Sequence, residues 1–170
     1  MVHASRTIKV NNDPTEPPLT RSLVWRGLVM KAENPLPFVP VITSCRVIER
    51  RENGLVREIV DKGDTITEVV TFQPERMVKF ERTSGRVLGT ILNEIDEDAD
   101  GDLALRFTFT LSVAGVADGS AEEKDFAGSM EEGYLMAVRT TLKAMRKLAT
   151  DNPLTAAASK TTRHDHDARR

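Results

Sequence analysis

The chain has 170 residues, 39% hydrophobic and 29% charged, enough apolar material for one domain with its own core. Its formal net charge of -2, with acids and bases interspersed, excludes the basic stripe that a nucleic-acid surface needs. A lone cysteine, Cys45, excludes an internal disulfide, and no stretch approaches the roughly 20 apolar residues of a membrane-spanning helix. Met1 to Val10 also lacks an apolar run of signal-peptide length, so a cytoplasmic location without a membrane partner is expected.

Ser5 to Val10 alternates apolar Ile8 and Val10 with Thr7 and Lys9, which predicts a half-buried first strand. Asn11 to Pro18 reads as a loop. Thr20 can cap a helix carrying Leu23, Val24, Trp25, Leu28, Val29 and Ala32, and Pro35 ends it. A second short turn, Leu36 to Val39, is bracketed by Pro35 and Pro40 and is little more than a corner with Phe38 turned inward.

A meander follows, with strands predicted at Thr43–Arg51, Leu55–Asp61, Asp64–Phe72, Arg76–Arg82, Val87–Ile95 and Leu103–Val113. Asn53-Gly54, Lys62-Gly63, Pro74 and Ser84-Gly85 supply its turns. An acidic loop, Asp96 to Asp102, precedes the last strand. After a glycine-containing linker, Ala121 to Thr150 places Met130, Tyr134, Ala137, Val138, Thr141, Met145 and Leu148 on one apolar stripe of a long helix. The tail, 151–170, has no periodicity and is expected to be disordered, with His164 and His166 in it as solvated residues. The fold class expected is α+β: a seven-stranded curved antiparallel sheet around a long C-terminal helix, with two short helices after strand one.

Parity assigns the inner face. The last strand turns Leu103, Leu105, Phe107, Phe109, Leu111 and Val113 inward. Pairing Ile95 with Leu103 then puts Ile91 and the polar Asn93 inside, while Val78 and Phe80 bring Ile66, Glu68, Val70 and Phe72 with them. If Asp61 opposes Asp64 across Lys62-Gly63, Arg57 opposes Glu68, close enough for an Arg-carboxylate pair. The second strand stays open. A three-residue turn at Glu52 to Gly54 brings Cys45, Val47 and Glu49 inward; a two-residue turn at Asn53-Gly54 brings Arg46, Ile48 and Arg50.

A sheet curved around one helix leaves room for a small, mostly apolar molecule. In an enzyme, Glu68 is the candidate acid or base, Arg57 its orienting partner and Tyr134 a second donor. Each also has a structural reading, as an ion pair between buried charges or a packed tyrosine with one hydrogen bond. The candidate ligand wall is Trp25, Phe38, Glu49, Val70, Phe80, Ile91, Asn93, Phe107, Phe109, Met130 and Val138. Cys45 lacks an activating neighbour in sequence and reads as an inert thiol. No zinc spacing, phosphate loop or Ser-His-Asp elbow occurs, so neither a metal nor a cofactor is expected.

The runs Leu19-Thr20-Arg21, Val24-Trp25-Arg26-Gly27-Leu28, Ala32-Glu33-Asn34-Pro35 and Phe38-Val39-Pro40, with Arg57-Glu58-Ile59 and the helix bearing Tyr134, resemble one known group. It is the AtaL-like (DUF1857) group of the SRPBCC, or START-like, superfamily, and the likeness spans roughly residues 5 to 150. The resemblance implies a helix-grip fold with a hydrophobic cavity. Superfamily members bind lipids, hormones and polyketides, and some are cyclases or aromatases. It transfers no residue role.

Three functions compete. The first is a cofactor-independent biosynthetic enzyme acting by acid/base chemistry on a polyketide, terpenoid or alkaloid-like intermediate. The others are a non-catalytic carrier or sensor of a small hydrophobic or amphipathic ligand, and a structural or oligomerising module without a pocket. A homodimer is allowed, but no interface pattern points to one.

Overall fold

A computed structural model describes residues 1–151, so the expected disordered tail lies outside the described residues. In chain order the elements are β1 (Val2–Lys9), α1 (Arg21–Glu33), β2 (Ile42–Arg51), β3 (Gly54–Asp61), β4 (Asp64–Gln73), β5 (Met77–Arg82), β6 (Val87–Glu97), β7 (Leu103–Val113) and α2 (Ala121–Asp151). All seven strands form one sheet in the order β1-β7-β6-β5-β4-β3-β2, every pair antiparallel. This is the helix-grip arrangement. β1 joins the far end of the meander, and α1 carries the chain back to β2 at the opposite edge.

The Asn11 side chain closes the loop before α1 by bonding both the N–H and the C=O of Leu19, each at 2.8 Å. Thr20 caps the helix, its hydroxyl accepting the Leu23 N–H at 3.2 Å. The buried positions of α1 are Val24, Gly27, Leu28, Lys31 and Ala32, a run of three- and four-residue steps with one lysine in it. After Pro35 no second short helix forms among the described residues. Phe38 and Val39 both donate to the Pro35 carbonyl, making a single turn, because Pro35 and Pro40 leave no room for further helical hydrogen bonds.

Turn chemistry sets the registers. Asp61 opposes Asp64, Ile59 opposes Ile66 and Arg57 opposes Glu68, as the Lys62-Gly63 turn predicts. Ile95 pairs with Leu105, two residues from the expected Leu103, since β6 runs on to Glu97; parity survives, and the inner face is unchanged. In β2 neither expected phase holds throughout. Arg51 pairs with Gly54, and a register shift between Val47 and Glu49 inserts Ile48 as a bulge. Cys45 and Val47 therefore face inward, half-buried, whereas Glu49 points out to solvent and pairs with Arg51 at 2.8 Å.

One strand glycine is a structural requirement. Gly89 in β6 sits at φ +130°, and a Cβ there would lie 2.1 Å from the Thr110 carbonyl oxygen of β7. Glycine bends the strand while letting its neighbour approach.

α2 divides by function along its length. Its C-terminal half buries Val138, Thr141, Leu142 and Met145 at helical spacing, and Met145 packs on Gly27 of α1. Leu148, expected on the stripe, is exposed, and Leu142 takes a place on it. In the N-terminal half Phe126, Ala127, Met130 and Tyr134 are only partly buried against the core. Space is left beneath that half.

Candidate functional site

That space is a pocket of about 150 Å³. Its roof is α2 from Ser129 to Ala137, one side is the last turn of α1 and the segment from Pro35 to Ile42, and its floor is the inner face of β3 to β7. Ile91, Phe80, Phe107 and Met130 make apolar wall, while Val41 and Met136, 45% and 66% exposed, stand at the rim. A volume of this size matches a single aromatic ring.

The polar part of the floor is a buried charge network. Arg57, on β3, places Nε 2.8 Å and Nη2 2.7 Å from Glu68 Oε2 of β4. Its Nη1 donates to the carbonyls of Lys31 and Ala32, at 3.0 and 2.7 Å, so the guanidinium also satisfies the C-terminal end of α1. Arg82, on β5, donates from Nε to Glu68 Oε1 at 3.2 Å and from Nη2 to Asp61 Oδ2 at 3.1 Å. Both oxygens of Glu68 are engaged, and its side chain is 2% exposed. Asp61 also lines the pocket, and its second oxygen is buried without a partner among the described residues.

Lys31 enters the same pocket from α1. It is 7% exposed, donates to Asn93 Oδ1 at 2.5 Å, and holds its Nζ 5.4 Å from the Phe107 ring centroid and 5.8 Å from that of Phe80. Burial in this apolar surround, reinforced by the Arg57 charge, takes its pKa from the ordinary 10.5 to about 7. Tyr134 hangs from the roof, its ring stacked on Phe109 at 5.0 Å. Burial pushes its phenol well above the usual value, leaving a neutral hydroxyl.

Of the residues expected from sequence, Arg57, Glu68, Tyr134, Phe80, Ile91, Asn93, Phe107 and Met130 are brought together around this pocket. Six lie elsewhere. Glu49 is solvent-facing because of the bulge. Trp25 makes an edge contact with Phe72, 6.2 Å between centroids, and Phe38 is buried where the turn after α1 tucks it in. Val70 is core, and Phe109 and Val138 back onto a narrow crevice between α2 and β1. Cys45 is half-buried, which raises its thiol above the ordinary value, in keeping with an inert role.

Sequence reasoning missed Lys31, Arg82 and Asp61, although each left a signal. Lys31 continues the steps from Val24 and Leu28. Arg82 shares parity with Val78 and Phe80, and Asp61 shares it with Arg57 and Ile59. Outside the pocket, Asp98, Asp100 and Asp102 bring carboxylate oxygens within 4.8 Å of one another in the β6–β7 loop. Lys9 Nζ stands 2.7 Å from Asp102, and Asp98 Oδ1 accepts the N–H groups of Asp100 and Asp102 at 2.9 Å. That cluster closes the loop.

Fold and pocket together define a helix-grip protein with a small cavity between its sheet and long helix. Residues 4–152 match the family described as acetylaranotin biosynthesis cluster protein L, and the chain belongs to that family. A relative of the same description from Aspergillus terreus is 23% identical over 143 residues, covering 83% of this chain and 85% of its own. Among solved structures, TTHA0849 from Thermus thermophilus superposes with a TM-score of 0.64 at 17% identity, over 88% of this chain and 97% of that one. The Zhui aromatase/cyclase from Streptomyces sp. R1128 gives 0.59 at 17% identity, over 88% and 94%. At these identities the structural likeness shows the fold. No helix among the described residues is long and apolar enough to cross a membrane.

Proposed function

We propose that the protein binds a small, ring-bearing, largely apolar intermediate of specialised metabolism in the pocket beneath the N-terminal half of α2, and acts on it by acid/base chemistry without a cofactor. The observation behind this reading is the pairing of an apolar wall, Ile91, Phe80, Phe107 and Met130, with convergent polar groups, Tyr134, Lys31, Asn93 and Asp61. Membership of a family described by a biosynthesis cluster, and a fold shared with an aromatase/cyclase, support the metabolic setting. Within it, Arg57 and Glu68 hold the floor and fix its charge. Tyr134 offers a neutral donor, and the unpartnered oxygen of Asp61 an acceptor.

A carrier without chemistry is the second reading. It is favoured by one observation, the engagement of both Glu68 oxygens by arginines, which leaves that carboxylate no free oxygen for proton transfer. Native mass spectrometry of the purified protein tests binding: a one-to-one small-molecule adduct is expected, lost when Ile91→Trp fills the pocket. An adduct unaffected by that substitution argues against this pocket. Turnover of the released molecule by fresh protein then separates enzyme from carrier.

A further inference from the structure

Lys31 is in an unusual position for a lysine. It occupies a core position of α1 between Leu28 and Ala32, and its ammonium nitrogen is turned toward pocket-lining Asn93, Phe80 and Phe107 instead of solvent. Buried charges normally come with a counter-charge. Here none is in place: among the described residues no carboxylate lies within 4.0 Å of Lys31 Nζ, and its hydrogen bond is to a neutral amide oxygen.

The carboxylate that could have served, Glu68 on β4, is held by Arg57 from β3 and Arg82 from β5, and Asp61 takes the remaining Arg82 bond. Two arginines and two carboxylates already balance without Lys31. From α2, Tyr134 lines the same pocket, and its phenol, raised by burial, adds no charge there. Burial without a carboxylate partner, together with the Arg57 charge, outweighs the attraction of the Phe80 and Phe107 ring faces for a cation and favours the uncharged amine, and an uncharged lysine is a nucleophile.

We propose that Lys31 is the reactive amine of the pocket and that the molecule bound there presents an aldehyde or ketone carbon to it, forming an imine. The inference rests on the binding reading above and deepens it by naming the substrate class. The Nζ lone pair forms a bond to the carbonyl carbon as the C=O π pair moves to oxygen, and one amine proton passes to that oxygen, giving a carbinolamine. Loss of the second amine proton and of the hydroxyl, together as water, gives C=N. No electrons enter or leave, and no further reactant is needed. The Asn93 oxygen accepts one N–H and so orients the lone pair, while Tyr134, a lining residue of the same pocket, can hydrogen-bond the departing oxygen as a neutral phenol. The iminium formed on protonation draws electrons from the adjacent carbon, which activates the substrate for carbon–carbon bond formation or cleavage.

Benzaldehyde, sized for the pocket, is the probe. The full chain is incubated with it near neutral pH in the presence of sodium cyanoborohydride, which reduces an imine to a stable secondary amine, and the digested peptides are weighed. Reductive labelling at Lys31 at least tenfold faster than at exposed Lys62, on the pocket rim, is expected, as is its loss in Lys31→Met. Because the site is read on the wild-type peptide, the result does not depend on the variant folding. Labelling at Lys31 no faster than at Lys62 overturns the inference. Benzyl alcohol, which has no carbonyl, is titrated in parallel: if it binds while Lys31 stays unlabelled, the imine is wrong and the binding reading stands. If it does not bind and Lys31 stays unlabelled, both fall.

Discussion

Arg57 and Glu68 stand directly opposite each other on β3 and β4, with the guanidinium also bonded to the carbonyls of Lys31 and Ala32 on α1. One side chain thus ties the sheet to the end of the helix that walls the pocket.

Breaking this tie should be costly, because Glu68 is left buried with Arg82 alone and the carbonyls of Lys31 and Ala32 lose their donor. Arg57→Met is expected to destabilise the fold by about 3–5 kcal/mol in urea unfolding. Arg57→Met combined with Glu68→Leu should fall short of the sum of the single changes by more than about 1 kcal/mol, since the double variant leaves no buried Glu68 with Arg82 as its one remaining partner. Additivity would mean the pair is not energetically coupled.

Gly89→Ala tests the bend in β6. The residue would have to hold φ +130° and bring a Cβ to 2.1 Å from the Thr110 oxygen, so a loss of at least about 2 kcal/mol is expected. A thermal midpoint within a degree of wild type would show that the strand does not need this conformation.

The Lys31 amine gives a pH signature in stability. Its pKa is about 7 in the fold against an ordinary 10.5, so between these values the unfolded chain holds more protons there than the folded one. Its contribution therefore rises with pH across that window and is least favourable below it, where the buried ammonium must be tolerated. Lys31→Met removes that penalty but leaves Asn93 without its donor. Relative to wild type, the variant should gain most near pH 6 and progressively less toward pH 10, in urea midpoints taken at each. A difference independent of pH would contradict the buried, partly neutral amine.

Tyr134→Phe removes a donor without emptying the stack on Phe109. With the phenol raised above its ordinary value, binding of benzyl alcohol should weaken roughly fivefold, about 1 kcal/mol, by the same factor from pH 6 to 9. Isothermal titration reads it directly. A factor that changes across that range would mean the hydroxyl ionises within it.

The floor of the site was legible because the sheet has period two and its turns are short. Once Lys62-Gly63 places Asp61 against Asp64, Arg57 and Glu68 must meet. Where a bulge intervened, parity failed: Ile48 carries the extra residue and sends Glu49 outward. Lys31 was hidden for a different reason, since a lysine between Leu28 and Ala32 reads as helix surface unless the wall opposite it is known. The pocket itself depends on how far α2 stands from the sheet. Met130 and Tyr134 continue the stripe of Val138 and Met145 yet stay half-buried, a difference that no pattern in the helix announces.

The central claim is that the space beneath the N-terminal half of α2 receives a small ring-bearing molecule. Methyl NMR on protein labelled at isoleucine and methionine, titrated with p-cresol, tests it directly. Saturable shifts at Ile91 and Met130, with Met145 of the packed α1–α2 contact unmoved, are the predicted result. Saturable shifts confined to other methyl groups, or none at Ile91 and Met130, would contradict it.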